Sequence, residues 1–243
     1  MAIDAIITGL VFITIHLLAN NILPVARVRQ LKWLSFSGGV ACAYVFVYIL
    51  PALHEEQQDF GAQTTEEFVM ESELYFFGLL GLLMFYGMQK AVDARNEKQG
   101  EKGKSGSFFW VQVIFFSIYN FMIAYIVIAT EVEGIQAVFY STAIGLHFMA
   151  IAHDLWREDK ERYNRTGRFV LAGGIIAGWI MGMMVTLSSF VLSIIFAFVS
   201  GAIILNVLKN ELPSERNAHF PTFALGAMSY TLFVMGIKFF FEW

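Results

Sequence analysis

Cysteine, proline and charged residues are scarce in this sequence of 243 residues. It contains one cysteine, Cys42, four prolines and 15% charged residues, whereas soluble domains carry roughly 25%. A single cysteine excludes a disulfide within the chain and a zinc site built on cysteines. The sequence also lacks a P-loop, a Gly-x-Ser-x-Gly elbow, a Cys-x-x-Cys pair and a His-Glu-x-x-His helix. No nucleophile or cofactor motif supports catalysis, so we do not expect an enzyme.

Hydrophobic residues are in excess, at 57% of the chain with a mean hydropathy of +0.61. A helix that crosses a bilayer needs about 20 mostly apolar residues. The sequence therefore predicts an all-α integral membrane protein, one polytopic domain over residues 1–243 whose main partner is the lipid bilayer. Eight runs qualify as spans: 3–23, 33–53, 72–92, 108–130, 134–155, 168–188, 189–208 and 221–241.

Lysine and arginine are segregated to one side of these spans. Fifteen of the 16 follow the first, third, fifth or seventh span, and only Lys238 does not. Cytoplasmic loops retain basic residues, so we expect both termini on the non-cytoplasmic side of a plasma or inner membrane. The topology accounts for the basic loops, and we expect no nucleic-acid partner.

Two connecting segments differ sharply in charge. The segment at about 93–107, "DARNEKQGEKGKSGS", is basic and rich in glycine and serine, which predicts a flexible cytoplasmic loop. The segment at about 54–72 is an acidic outer loop. It follows "ILPALHEE", in which we expect Pro51 to end the second helix. His54 and its two glutamates then belong to an acidic rim that could gather cations.

The same pattern recurs in the seventh span. Gly39 precedes Pro51 by twelve residues, Gly201 precedes Pro213 by twelve, and each proline follows a leucine. Because the second and seventh spans run in opposite directions, the match predicts an inverted repeat that relates spans 1–3 to spans 6–8 around spans 4 and 5.

Polar side chains within spans are costly in lipid and usually face the bundle interior. In the fourth span, Ser117 and Asn120 share a face, and in the first span His16 and Asn20 form an i,i+4 pair. In the fifth span, one stripe holds Gln136, Tyr140, His147 and Asp154.

His147, half-way along its span, could bind a transition metal or relay a proton. It could equally hydrogen-bond to a neighbouring helix, for example to Tyr119 or Asn120. His153 and Asp154 suggest either an exit site or simply a helix end that meets water.

Three stretches resemble the ZIP (Zrt/Irt-like) family of divalent metal transporters. They are "FSGGVACAYVFVYILPALHEE", "FFGLLGLLMFYGMQK" and "IIFAFVSGAIILNVLKNELPSE". The resemblance implies eight spans with an inverted repeat. It also implies a metal path lined by His147, Asn120 and Tyr119, with Asp154 and His153 near its exit, and zinc, iron or manganese as the substrate.

The family's metal motifs are mostly replaced here. In the fourth span Asn120 is kept, but Tyr119 stands for the usual histidine and Ile123 for the acid. In the fifth span only His147 is kept. Two functions therefore remain open: a ZIP-like transporter that moves a divalent metal or another small cation by alternating access, and a non-transporting relative that serves as a scaffold or subunit. A homodimer or a membrane-complex partner fits either one.

Overall fold

Eight helices make up the computed structural model, which describes residues 3–22, 27–63, 71–99, 106–130, 134–212 and 219–241. The prediction of an all-α fold is confirmed. The helices are α1 (Ile3–Ile22), α2 (Arg27–Tyr44, continued by Val45–Ile49 and Leu50–Gln63), α3 (Glu73–Gln99), α4 (Gly106–Ala129), α5 (Gly134–Glu158), α6 (Lys160–Arg162, continued by Tyr163–Gly167 and Arg168–Met184), α7 (Ser189–Asn206, continued by Val207–Glu211) and α8 (Phe220–Phe241).

Five helices contain described segments that are long and apolar enough to cross a membrane. Many large apolar side chains on the outside of the bundle are exposed, and those of Phe76, Leu83 and Ile114 are each more than half exposed. An apolar exterior of this kind suits lipid rather than water, so the helices indicate a membrane protein. The five segments are Leu31–Gly61, Glu73–Val92, Phe109–Ala129, Lys160–Met184 and Ser189–Asn210.

The most extensive helix contacts form four pairs: α1 with α5, α2 with α8, α3 with α7, and α4 with α6. The two helices of each pair run in the same direction, because residues with higher numbers on one helix contact residues with higher numbers on the other. In the pair α1–α5, Asp4 bonds Gly134, Thr8 bonds Ser141 and Phe12 packs on Phe148. The other three pairs show the same order of contacts, with Ser35–His219 before Tyr44–Tyr230, Gly78–Gly201 before Gln89–Lys209, and Ser117–Gly174 before Phe121–Gly178.

Glycines allow three of these pairs to approach closely. A Cβ atom added at Gly201 would overlap the backbone carbonyl of Gly78, and one added at Gly39 would overlap that of Phe223. On α6, a Cβ at Gly178 would overlap the carbonyl of Phe121. Small residues at helix crossings let backbones pack together, which replaces the hydrophobic driving force that lipid removes.

The expectation that Pro51 ends the second helix is wrong. A π-helical turn over Val45–Ile49 precedes Pro51, and α2 then continues as an α-helix to Gln63. Proline lacks an N–H and its ring presses on the carbonyl four residues before it, so the wider turn accommodates Pro51 without a break. α3 likewise continues to Gln99 and α4 begins at Gly106. Both ends of the segment 93–107 are therefore helical, and residues 100–105 lie outside the described part of the chain.

The added turns of α2 are fastened to α3 by Gln57, which is 5% exposed. Its Oε1 accepts the backbone N–H of Leu74 at 2.7 Å, and its Nε2 donates to Glu73 at 2.9 Å. Leu74 lies in the first turn of α3, where backbone N–H groups have no partner within the helix. Gln57 therefore satisfies a donor that would otherwise be buried without an acceptor.

Replacing Gln57 by leucine should destabilise the protein by about 1–3 kcal/mol, because the buried N–H of Leu74 loses its acceptor. The free energy of unfolding measured by denaturant titration in detergent micelles tests this. Gln58→Leu is the matched control, since Gln58 is exposed and its side chain bonds the exposed His54 at 3.1 Å. It should change stability by less than about 0.5 kcal/mol. Equal effects of the two substitutions would contradict the role of Gln57.

Candidate functional site

A layer of polar side chains lies buried in the middle of the bundle. Tyr119, Asn120 and His147 belong to it and are at most 4% exposed. The structure thus brings together the three residues that the sequence singled out on α4 and α5. It adds His16 from α1 and Asn206 from α7, both at most 3% exposed. Four helices therefore contribute to the layer.

His147 is held at both ring nitrogens. Its Nε2 lies 2.9 Å from the Tyr119 hydroxyl, and its Nδ1 lies 3.5 Å from the amide nitrogen of Asn206. Asn206 in turn accepts a 2.7 Å hydrogen bond from Asn210, one turn further along α7. A continuous line of polar groups therefore leads from the end of α7 to Tyr119.

The second half of the layer joins α1 to α4 and α6. The Asn120 amide nitrogen lies 3.3 Å from the carbonyl of Leu171 and 2.9 Å from Nε2 of His16. The carbonyl can only accept, so the NH₂ group of Asn120 must face it, and His16 Nε2 must accept the other amide hydrogen. The neutral His16 ring then carries its hydrogen on Nδ1. Among the described residues, neither His16 Nδ1 nor Asn120 Oδ1 has a hydrogen-bond partner.

A cavity of about 320 Å³ opens from the end of the bundle that carries the basic loops and reaches Asn206. We call it the vestibule. Lys209 extends across it, donating to Gln89 at 2.6 Å. Asp154 is exposed in the vestibule, whereas His153 is buried and stacks on Trp156; the two residues predicted as an exit site therefore point into different surroundings. The polar residues that line the vestibule are Gln89, Gln112, Asp154, Glu158, Asn206, Lys209 and Asn210.

Apolar side chains surround the polar layer closely. Phe148 contacts the rings of His16 and Tyr119, with centroids 5.0 Å and 6.4 Å away. Ile123 is fully buried and Ile151 is 3% exposed. Such packing excludes bulk water, which strengthens each hydrogen bond in the layer and raises the cost of any charge placed there.

The described residues include no group of three or more histidine, cysteine, aspartate or glutamate side chains arranged to hold a metal. In the observed arrangement, both nitrogens of His147 have partners, and His16 accepts through Nε2 while its Nδ1 carries a hydrogen. Neither ring therefore offers a free lone pair to a metal ion. No carboxylate belongs to the layer to balance a divalent charge.

Sequence reasoning missed Asn206 and the contact between His16 and Asn120. His16 bonds Asn120, and the side chain of Asn20 lies outside the described part of the structure, as do those of Gln136 and Tyr140. Asn206 could have been found, because it is the first amide in the strongly apolar run "IIFAFVSGAIILN". The Ser117 prediction is confirmed: its hydroxyl bonds the Val170 carbonyl of α6, the helix that Asn120 also meets.

The predicted acidic rim of His54, Glu55 and Glu56 is not a single site. His54 bonds the hydroxyl of Tyr75 on α3 at 2.8 Å, whereas Glu56 accepts a hydrogen bond from Ser193 on α7. Glu55 is exposed. His54 and Glu56 therefore fasten the end of α2 to two different helices.

Comparison with known families corrects the resemblance to ZIP transporters. The family that matches is described as a protein of unknown function, DUF3270, over residues 54–156, which is less than half of the chain. No ZIP family matches, and no curated protein matches the sequence. The resemblance was wrong because it depended on glycine, leucine and proline spacing. In this structure, close helix crossings and a π-helical turn explain that spacing, and neither is specific to one family.

Proposed function

We propose that the protein is an integral membrane transporter of a small cation, which enters from the vestibule and meets His147 as the first buried basic group. The observation that carries this proposal is the line of hydrogen-bonded side chains from Asn210 through Asn206 and His147 to Tyr119. Placing a row of polar side chains of this length in a membrane interior costs free energy, and such rows are typical of ion and proton pathways.

The chemistry of the layer favours a proton over zinc, iron or manganese. A divalent ion needs three or four ligands and charge compensation, whereas the layer offers neutral side chains whose nitrogens are already bonded. A proton needs one base and a partner that can turn. His147 is that base, and the amide of Asn206 can turn its oxygen toward the protonated ring.

An eight-span topology with an inverted repeat is part of the proposal. α2 and α7 each contain a glycine at a close crossing, Gly39 and Gly201, and in each a π-helical turn begins six residues later. An inverted repeat would exchange α1, α2 and α3 with α6, α7 and α8, and would exchange α4 with α5. This exchange converts the pair of α2 with α8 into the pair of α7 with α3. It likewise converts the pair of α1 with α5 into the pair of α6 with α4. The helix pairing thus has the symmetry that an inverted repeat requires.

The two faces of the layer differ in a way that suits alternating access. The vestibule reaches it from the basic end, which we place in the cytoplasm with both termini outside, in a plasma or inner membrane. Toward the other end, Phe12 and Ile123 are fully buried. The arrangement corresponds to a state open to the cytoplasm, and transport requires a second state in which one group of helices has rocked against the other.

The close packing around the layer favours a second candidate function. Phe148, Ile123 and Ile151 fill the space beside His147 and are at most 3% exposed, as in a bundle that transports nothing. The protein would then be a scaffold or subunit of a membrane complex, either as a homodimer or with another partner.

Replacing His147 by alanine should reduce proton flux to less than about a tenth, since the buried base that receives the proton is removed. Proton flux into proteoliposomes is followed with a pH-sensitive dye inside the vesicles. Parallel assays with dyes for zinc, iron and manganese test whether the protein transports these metal ions. His54→Ala is the control, because His54 lies on the outer rim away from the layer, and it should keep wild-type flux. Flux that survives in His147→Ala would contradict the assigned path. If no cation moves through the wild-type protein, the scaffold function is favoured.

A further inference from the structure

A shallow hollow lies at the start of α6, at the basic end of the bundle. It has a volume of about 510 Å³ and is lined by Lys160, Glu161, Asn164 and Arg165. Lys160 and Arg165 are both exposed, and the ammonium of Lys160 lies 5.1 Å from the ring centre of Trp156. Two cations and one carboxylate leave the hollow with a net charge of about +1.

An exposed apolar stripe begins directly below Arg165. Phe169, Ile176 and Ile180 follow it at positions 4, 11 and 15 along α6, which places all four on one helix face. Their exposures are 53%, 41% and 45%. The stripe therefore faces the surrounding lipid chains and leads up to the hollow.

Gly173 forms a notch in the stripe between Phe169 and Ile176. It is exposed, and a Cβ atom added there would meet nothing within 4 Å. Arg165 stands about 12 Å above Gly173 along the helix, within the roughly 15 Å that one leaflet's hydrocarbon spans. A chain attached to a headgroup in the hollow would reach the notch.

The geometry points to a binding site for an anionic phospholipid. Lys160 and Arg165 bind the phosphate, and one acyl chain lies along Phe169 and Ile176 with the notch at Gly173. The single negative charge of phosphatidylglycerol matches the net charge of the hollow, whereas phosphatidylcholine is neutral overall. Basic clusters beside spanning helices attract anionic headgroups in this way, and the continuous apolar stripe selects a lipid over a free anion.

Native mass spectrometry of the purified full-length protein, titrated with dioleoyl phosphatidylglycerol or dioleoyl phosphatidylcholine, tests the site. We expect phosphatidylglycerol to bind at least about 5-fold more tightly than phosphatidylcholine. The double substitution Lys160→Ala and Arg165→Ala should weaken phosphatidylglycerol roughly 25-fold, or about fivefold for each cation. The matched control replaces two exposed lysines elsewhere, Lys32→Ala with Lys90→Ala, and should retain wild-type affinity.

Gly173→Leu tests the acyl-chain part separately, because it fills the notch and leaves both cations in place. It should weaken phosphatidylglycerol binding several-fold. The variant should fold, since Gly173 is exposed and an added Cβ atom meets nothing within 4 Å. Unchanged affinity in Gly173→Leu would remove the stripe from the site. Equal binding of the two lipids, or full binding by the double variant, would overturn the proposal. Competition by inorganic phosphate at concentrations similar to those of the lipid would also overturn it, since an anion site without a lipid chain would explain that result.

Discussion

Gly201→Ala should force α7 away from α3 and lower the stability of the protein by about 3 kcal/mol. The new Cβ would overlap the backbone carbonyl of Gly78, and a backbone atom within a helix cannot move aside as a flexible side chain can. The two helices must therefore separate along their whole crossing. In a chain of this size we expect the unfolding midpoint to fall by roughly 6–12 °C, as measured by tryptophan fluorescence in detergent micelles.

Gly87→Ala and Gly236→Ala are the matched controls for Gly201→Ala. Each also replaces a glycine within a helix, but nothing lies within 4 Å of the added atom. Because alanine favours a helix more than glycine does, the unfolding midpoint should stay within about 2 °C or rise slightly. A midpoint for Gly201→Ala as high as those of the controls would mean that the α3–α7 crossing is not as close as the structure places it.

Asn120→Leu and His16→Leu should each destabilise the protein by about 2–3 kcal/mol, whereas the double substitution should cost less than their sum by about 0.6–1.7 kcal/mol. Each single substitution leaves the other polar side chain buried without its partner. Asn120→Leu also removes the amide that donates to the Leu171 carbonyl. The double substitution removes both the Asn120 amide and the His16 ring, so neither is left buried without its partner. Denaturant unfolding of the four proteins in one detergent supplies the cycle.

The size of this coupling decides whether the contact between His16 and Asn120 stabilises the fold. Hydrogen bonds between helices in membranes average about 0.6 kcal/mol and reach about 1.7 kcal/mol. Additive effects, with a coupling below about 0.3 kcal/mol, would contradict the 2.9 Å contact as an energetic link between α1 and α4. Ser229→Ala serves as a control outside the layer, since that hydroxyl bonds the carbonyl of Gly226 three residues earlier on its own helix.

Helix positions could be predicted from the sequence because hydrophobic length alone identifies them. All eight predicted spans overlap the observed helices. The end of α2 could not be predicted, since Pro51 breaks an α-helix but is accommodated by a π-helical turn, and that turn depends on the neighbouring helices. Gln57 fastens the extension to α3 through a backbone contact that no local pattern reveals.

Only part of the polar layer could be predicted from the sequence. Asn120 and His147 stand out in apolar runs, so their burial could be predicted. The contact of His147 with Tyr119 was one of the predicted alternatives. The contacts with His16 and Asn206 could not be predicted, because His16 is 104 residues from Asn120 and Asn206 is 59 residues from His147. The metal interpretation treated Asn120 and His147 as free ligands. In the structure, His147 contacts Tyr119 and Asn206. Asn120 contacts His16 and the Leu171 carbonyl.

The pairing of parallel helices has a consequence for biosynthesis. A ribosome delivers helices in chain order, yet α2, α3 and α4 have their closest partners among α8, α7 and α6. When α4 enters the membrane, the glycine surfaces of α2 and α3 still lack the helices that fill them. We expect the first half of the chain to remain near the insertion machinery, or under a membrane chaperone, until α8 is released. A chain that stops after residue 185 should accordingly be degraded rather than accumulate as a folded half.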